Sequence, residues 1–254
     1  MSTEVRTEVI GSTLLITIDR PGARNAVNAA VAAKLSAAID RLEQEPGLRV
    51  GVLTGTGGTF SAGMDLKAAL TGESPTVPGR GFGGLARAET TKPLIAAVEG
   101  WAVGGGFELA LSCDLVVAAE GARFGLPEVA RGLIAAGGGA IRLPKRLPHH
   151  LAMELLLTGD PITADRAEHV GLVNRLVPNG EAAAAAIQLA EHVAANAPLA
   201  LAAVKRVVRA ADGVTEDEAY AVQDKEIAAL MASADVREGM TAFAERRLPT
   251  WTGR

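Results

Sequence analysis

The stretch "GWAVGGGFELALSCDL", residues 100 to 115, sets three consecutive glycines and a glutamate within an otherwise apolar run. Three adjacent glycines begin a helix poorly, because glycine loses more conformational freedom on folding than any other residue. Their presence therefore favours a close approach of some group to the backbone at Gly104 to Gly106. A carboxylate is also costly to bury, so Glu108 requires a functional explanation.

Short apolar segments around this stretch predict strands, and the segments between them predict helices. Asn28 is expected to cap a helix that continues to about Glu43, and a second helix is expected from about Gly105 to Ser112. Strands that alternate with helices indicate an α/β protein with a mainly parallel sheet. The predicted strands are Thr13 to Asp19, Arg49 to Gly55, Lys92 to Gly100 and Cys113 to Glu120.

Strand signals end near Pro178, and the rest of the chain predicts amphipathic helices rich in alanine. We therefore expect an α/β core over residues 1–195 and a C-terminal helical region over residues 196–254, whose apolar faces suit packing on another subunit. Residues 71–90, rich in Gly, Pro, Ser and Thr, predict a mobile surface loop that leads into a helix and could act as a lid. The predicted C-terminal helices are Gly180 to Ala197, Pro198 to Ala211, Thr215 to Ser233 and Asp235 to Arg247.

The composition limits the classes of partner. A chain of 254 residues with a net charge of -4 offers no basic surface for nucleic acid or an anionic membrane, so neither is expected as a partner. The first residues do not have the pattern of a secretory signal, and no apolar run reaches the ~18 residues of a membrane span. The single cysteine, Cys113, excludes an internal disulfide, and the four histidines show no metal-ligand spacing. We expect a cytoplasmic protein without a metal.

Two glycine-containing segments could each turn a backbone amide into a cleft. In "TFSAGMDLK", residues 59 to 67, Gly63 permits a sharp bend after which the amide of Met64 could face inwards. The glycines at 104 to 106 would supply the unpaired amides of a helix N-terminus, which favours negative charge. Taken alone, the first segment is also typical of an ordinary turn, and the second of close helix packing or a phosphate site. The spacing does not match the dinucleotide-binding pattern.

Two carboxylates accompany these amides in sequence. Glu108 lies in the first predicted turn after the glycines, and Glu128 follows Pro127 in "FGLPEVARGL". Each alone is more typical of a helix cap or a salt-bridge partner. Both lie in largely apolar sequence, however, where a carboxylate tends to have a raised pKa. Two such groups beside one polarising site are what water activation and proton addition across a double bond require.

The segments "FSAGMDLK", "AAVEGWAVGGGFELALSCDLVVAAEGARFGLPEV", "ELLLTGDPITADRAEHVGLVNRLVP" and "AFAERRLPTW" together resemble the enoyl-CoA hydratase (crotonase) superfamily, in the same order and spacing. The resemblance runs from about Arg20 to the C-terminus. It implies a crotonase (ClpP-like) α/β fold, a spiral of ββα units with a C-terminal helical trimerisation region. It also implies a homotrimer, or a hexamer made as a dimer of trimers.

The resemblance assigns roles to particular residues. The amides of Met64 and Gly105 would form the oxyanion hole for an acyl-CoA thioester, and Glu108 and Glu128 would be the catalytic glutamates. "FAERR", residues 243 to 247, is similar to a segment that reaches the CoA of a neighbouring subunit. The positions that would border coenzyme A are Arg24, Ala26, Ala62, Asp65, Leu66 and Lys67.

The implied activity is hydration of a 2-enoyl-CoA, with no cofactor beyond the coenzyme A of the substrate and no metal. The presence of both glutamates favours hydration over isomerisation. It also argues against a non-catalytic acyl-CoA binding protein. "RLPKRLP" and "AFAERRLPTWTGR" also resemble carnitinyl-CoA dehydratases, which leaves that activity open. The loop at 132–144 departs from the family pattern, since Ala135 and Ala136 replace a proline and a glycine, so the acyl length is left open.

Overall fold

The computed structural model describes residues 4–254, and its centre is a six-stranded sheet. Along the sheet the strand order is β1-β2-β3-β6-β8-β11; β1 and β2 pair antiparallel, and every other pair is parallel. These strands are Val5–Ile10 (β1), Thr13–Ile18 (β2), Val50–Gly55 (β3), Leu94–Val98 (β6), Leu115–Ala119 (β8) and Arg175–Val177 (β11). The predicted strands and the mainly parallel sheet are thus confirmed.

The remaining strands in residues 4–254 form two smaller sheets. In one, β9 lies between β10 and β7; in the other, β4 and β5 form a short antiparallel hairpin. These strands are Thr76–Val77 (β4), Gly81–Phe82 (β5), Trp101–Val103 (β7), Arg123–Gly125 (β9) and Ile162–Thr163 (β10).

Ten α-helices surround the sheets in the part of the chain that is described. Asn28 caps the first of them, as predicted, by accepting a hydrogen bond from the amide of Val31. The helices are Ala29–Gln44 (α1), Leu66–Leu70 (α2), Gly105–Ala110 (α3), Gly139–Arg146 (α4), His149–Thr158 (α5), Ala164–His169 (α6), Ala182–Ala194 (α7), Pro198–Ala210 (α8), Glu216–Met231 (α9) and Ala234–Glu245 (α10). The four predicted C-terminal helices correspond to α7 to α10.

The central strands are buried on both faces, and alternate residues enter two separate cores. On β6, Ile95 and Ala97 pack with α7, whereas Ala96 and Val98 pack in the core that includes α1. This double burial explains why the central strands appear in the sequence as continuous apolar runs.

The segment at residues 71–90 differs from the prediction. It contains the β4–β5 hairpin and no helix, so the predicted helix at its end was wrong. Gly83 to Ala86 are buried, because glycines at 83 and 84 let the chain approach α3 and α1 closely. Across residues 4–254, no single helix is long and apolar enough to cross a membrane; the pair α7 and α8 passes that test together but is bent by 103°.

Candidate active site

The first candidate amide is that of Met64, in the segment that follows β3. The residues on either side of Met64 are hydrogen-bonded to Val27. Gly63 O accepts a hydrogen bond from Val27 N–H at 2.8 Å, and Asp65 N–H donates to Val27 O at 3.0 Å. Gly63 itself has φ +83°, the left-handed region that the sequence predicted for a sharp bend. Among residues 4–254, nothing accepts a hydrogen bond from Met64 N–H, so this amide is free to bind a ligand oxygen.

The second candidate amide belongs to Gly105, the first residue of α3. Gly104 precedes it with φ +55° and donates its own amide to Gly125 O at 2.9 Å. Gly105 N–H has no acceptor within the described chain, as expected for the first turn of a helix. A Cβ built on Gly63 would lie 2.8 Å from Gly105 N, so the two segments are in direct contact. The structure therefore brings the two free amides to one place.

Glu108 projects from the first turn of α3 and is buried, with 3% of its surface exposed. Its Oε1 accepts a hydrogen bond from Gly139 N–H, at the start of α4, at 2.8 Å. Burial raises the pKa of this carboxyl; the Gly139 amide opposes the rise and the charge of Glu128 adds to it. A Cβ on Gly137 would lie 2.5 Å from Glu108 Oε2, so a side chain there would displace this carboxyl. Glu108 is thus a carboxyl held in place, with a pKa above its usual value.

Glu128 lies on a short 3-10 helix, Pro127–Arg131, that follows β9. A Cβ on Gly104 would lie 3.3 Å from Glu128 Oε1, which places this carboxyl beside the residue that precedes the second free amide. Its Oε2 is buried and has no hydrogen-bond partner among residues 4–254. Burial raises the pKa of Glu128, and the nearby charge of Arg131 only partly opposes this effect. An unpartnered buried carboxylate oxygen is costly, and a site for water or substrate explains it.

All four of these residues line one cavity of about 700 Å³. Apolar side chains and glycines supply most of its other walls, in particular from the β4–β5 hairpin and from residues 133–137. The remaining lining residues are Ala62, Leu66, Glu73, Ser74, Pro75, Thr76, Val77, Pro78, Gly79, Gly81, Phe82, Ala86, Arg87, Val103, Gly104, Pro127, Arg131, Leu133, Ile134, Ala136 and Gly137.

Of the six residues expected to border coenzyme A, only two line the cavity. Ala62 and Leu66 line the cavity, whereas Arg24, Ala26, Asp65 and Lys67 do not. Asp65 caps α2 and forms an ion pair with Arg20 at 3.0 Å. Burial would raise the pKa of Asp65, but hydrogen bonds from the Ala68 amide and from Arg20 outweigh it, and the pKa is lowered. Phe243, on α10, is 87% exposed and away from this cavity, so its role stays a prediction that needs a second subunit.

Sequence reasoning missed two arginines that support the site. Arg20 donates to Ala26 O and to Asp65, and so supports the segment that carries Met64. Arg142, on α4, donates to Gly137 O and to Ala86 O, and so connects the loops on two sides of the cavity. Neither residue has a local sequence signal, because each acts through partners distant in the chain. Among residues 4–254, no group of three His, Cys, Asp or Glu side chains could hold a metal ion.

A family comparison agrees with this site. The model of the family described as Enoyl-CoA hydratase/isomerase matches residues 8–254. The chain belongs to the enoyl-CoA hydratase/isomerase family. Its fold is accordingly the crotonase fold, and the family is one of hydratase-type enzymes that act on CoA thioesters.

Individual relatives carry more specific names. The chain is 42% identical to the enoyl-CoA hydratase EchA19 of Mycobacterium tuberculosis, over 96% of this chain and 94% of the relative. It is 41% identical to the carnitinyl-CoA dehydratase of Proteus mirabilis, over 100% of both chains. The crystal structure of enoyl-CoA hydratase EchA1 from Mycobacterium marinum is similar over 100% of both chains, with 52% identity and a TM-score of 0.97.

Proposed function

We propose that the protein is an enoyl-CoA hydratase, which adds water reversibly and in the syn sense to a 2-enoyl-CoA to give a 3-hydroxyacyl-CoA. The observation that carries this proposal is that two amides without an acceptor in residues 4–254 and two glutamates with raised pKa values border the same cavity. The amides suit the oxygen of a thioester, and the glutamates suit the addition of water. Among residues 4–254, the only other acid that lines the cavity is Glu73, which is exposed.

The amides of Met64 and Gly105 would bind the thioester carbonyl oxygen. When water attacks C3, the electron pair of the C2–C3 double bond moves towards the carbonyl, and negative charge grows on that oxygen. Fixed donors stabilise this charge without reorganising, and each is worth about 3 kcal/mol in the transition state. The same two amides would serve the reverse reaction equally.

Glu108 and Glu128 would hold the water between them. Because both pKa values are raised, the pair can carry one proton, so that one group acts as base and the other as acid. By the family resemblance, Glu108 accepts a proton as the water oxygen bonds to C3, and Glu128 delivers a proton to C2. Because the charge of Glu128 also raises the pKa of Glu108, the pH dependence of the rate would report on both carboxyls together.

Coenzyme A would extend from this centre past Ala62 and Leu66, which line the cavity. We propose that Arg24, Ala26, Asp65 and Lys67 border its nucleotide and pantetheine arm beyond the cavity wall. The segment at 243–247 would reach the CoA of a neighbouring subunit in a trimer. No further cofactor enters the proposal.

A second candidate is the dehydration of carnitinyl-CoA, suggested by the full-length similarity to a carnitinyl-CoA dehydratase. Dehydration is the reverse of hydration, so the same two glutamates serve both. Glu73, an exposed carboxylate that lines the cavity, would favour a cationic acyl group.

Loss of the enoyl-thioester absorbance tests both candidates. The substrates are crotonyl-CoA, longer 2-enoyl-CoAs and crotonobetainyl-CoA, and the enzymes are wild type, Glu108→Gln and Glu128→Gln. We expect each variant to lose about 10²- to 10⁴-fold in turnover while CoA binding persists, because each lacks one proton-transfer group. Glu120→Gln, an exposed position outside the cavity, is the matched control and should keep full activity. Full activity in both site variants would exclude the mechanism.

A further inference from the structure

One aromatic ring lies directly against the glycine that carries the second free amide. A Cβ built on Gly105 would come within 2.3 Å of Cζ, 2.5 Å of Cε1 and 3.0 Å of Cε2 of Phe82. These three atoms form the tip of the ring, so the ring points edge-on at Gly105. Gly105 has no left-handed backbone conformation, so this contact, rather than backbone geometry, excludes a side chain there.

The ring is fixed in place by the chain on both sides of it. Phe82 pairs with Thr76 across the β4–β5 hairpin, and Gly83 N–H donates to Pro75 O at 2.8 Å. A Cβ on Gly83 would lie 2.8 Å from Cδ2 of Leu109, on α3. The hairpin is therefore packed against the helix that begins at the glycines, and the ring forms a fixed wall of the cavity.

A ligand oxygen that accepts from Gly105 N–H lies about 2.9 Å from that nitrogen. Because Phe82 and Gly105 line the same cavity, we expect the atoms attached to the acyl carbonyl carbon to lie next to the tip of Phe82. A hydrogen on C2 needs little room, whereas a methyl carbon needs about 3.5–4.0 Å from the ring carbons. With Phe82 in this position, the space beside such a carbonyl would be narrow, although the whole cavity has a volume of about 700 Å³.

We infer that Phe82 is a specificity-determining residue that limits the acyl group at C2, so that the site accepts 2-enoyl-CoAs unbranched at C2 and disfavours those with a 2-methyl group. This inference rests on the proposed function, because it assumes that a thioester oxygen binds at Gly105. It concerns the choice among substrates and not the chemical step.

The test compares kcat/KM for crotonyl-CoA and its 2-methyl derivative in wild type, Phe82→Ala and Phe82→Leu. We expect wild type to prefer the unbranched substrate, and Phe82→Ala to reduce that preference by about 10-fold or more, the effect of one methyl-sized change in a pocket. Phe82→Leu keeps a large side chain and should give a smaller change. Tyr220→Leu removes an exposed aromatic ring on α9, outside the cavity, and should leave the preference at the wild-type value.

A binding measurement separates this inference from the proposed function. The ligands are acetoacetyl-CoA and its 2-methyl derivative, whose relative affinities do not require turnover. Tighter relative binding of the branched ligand to Phe82→Ala supports the inference even if wild type hydrates neither substrate, a result that would reject only the proposed function. An unchanged ratio in both measurements, with Phe82→Ala folded by circular dichroism, overturns the role of Phe82.

Discussion

At Glu128, folding buries one carboxylate oxygen, and no group in residues 4–254 donates a hydrogen bond to it. Glu108, more deeply buried, at least accepts a hydrogen bond from Gly139. Both pKa values are raised mainly by burial, so both groups oppose folding when they are ionised. Residues that cost stability and persist in a cavity are typical of active sites.

The cost of burying the ionised carboxyl of Glu128 predicts that Glu128→Gln is more stable than wild type at pH 8. A carboxyl whose pKa is raised on folding stabilises the native state only at low pH, and that contribution is lost as the pH rises through the native pKa. The glutamine side chain of the variant is neutral and does not lose this stability. We expect its free energy of unfolding to be about 0.5 kcal/mol higher, a small gain because Glu128 is only half-buried. Thermal unfolding at pH 8 and near pH 4 measures it.

The gain should shrink towards pH 4, where the carboxyl is protonated in the unfolded chain as well. Glu120→Gln, at an exposed position, is the matched control and should leave the melting temperature at pH 8 near the wild-type value. A lower melting temperature for Glu128→Gln than for wild type at pH 8 would contradict the cost that we assign to this carboxyl.

Single residues of the site differ in how far the sequence reveals them. Glu108 and Glu128 stand out because each is a charged residue in apolar sequence, and Gly63 because it follows a strand. Phe82 does not stand out, since its contact with Gly105 depends on a hairpin of only two residues per strand. Such short strands have too few residues to show an alternating pattern.

At the scale of elements, the site depends on the packing of the segment at 60–64 against the start of α3. Phe60 N–H donates to Glu99 O, and Ser61 N–H donates to Trp101 O, so this segment runs beside β7. Gly106 permits the contact, because a Cβ there would lie 2.2 Å from Ser61 O. The glycines therefore set the distance between the two free amides.

We predict that Gly63→Ala reduces kcat by about 10²- to 10³-fold, the value of one oxyanion-hole donor. The new Cβ would lie 2.7 Å from Val103 O and 2.8 Å from Gly105 N, which forces the two amides apart. Steady-state kinetics with crotonyl-CoA measures the loss.

Gly58→Ala is the matched control, because Gly58 also has a positive φ, +69°, but a Cβ there meets nothing within 4 Å. It should lose about 1–2 kcal/mol of stability through the left-handed backbone alone and keep the wild-type kcat. Equal losses of kcat in the two variants would show that strain, and not the amide geometry, limits the activity.

The sequence predicts the buried strands better than the exposed or short ones. Strand β1 has six residues, as many as β2 and β3, but four of them are exposed, and it was not predicted. The four buried strands and the C-terminal helices have enough apolar residues to show their period, and all were found. Strands β7, β9 and β10, of three, three and two residues, were not predicted, yet β7 leads directly into the glycines of the site. Their pairing is decided by contacts distant in the chain.

At the scale of the whole molecule, the C-terminal helices leave more of their apolar side chains exposed than the α/β core does. Helix α9 has no buried residue, and Val204 and Val208 on α8 are 62% and 67% exposed. An exposed apolar face of this kind is typical of a subunit interface. The trimer or hexamer, the boundary at residue 195, and the cytoplasmic location expected from the sequence all remain predictions.

The most direct measurement is a crystal structure of the protein with acetoacetyl-CoA bound. We predict that the thioester oxygen lies within about 3.2 Å of the amide nitrogens of both Met64 and Gly105, with C2 and C3 facing Glu108 and Glu128. The C2 carbon should contact the tip of Phe82. A thioester bound elsewhere, or one whose C2 and C3 face away from both glutamates, would contradict the proposed mechanism.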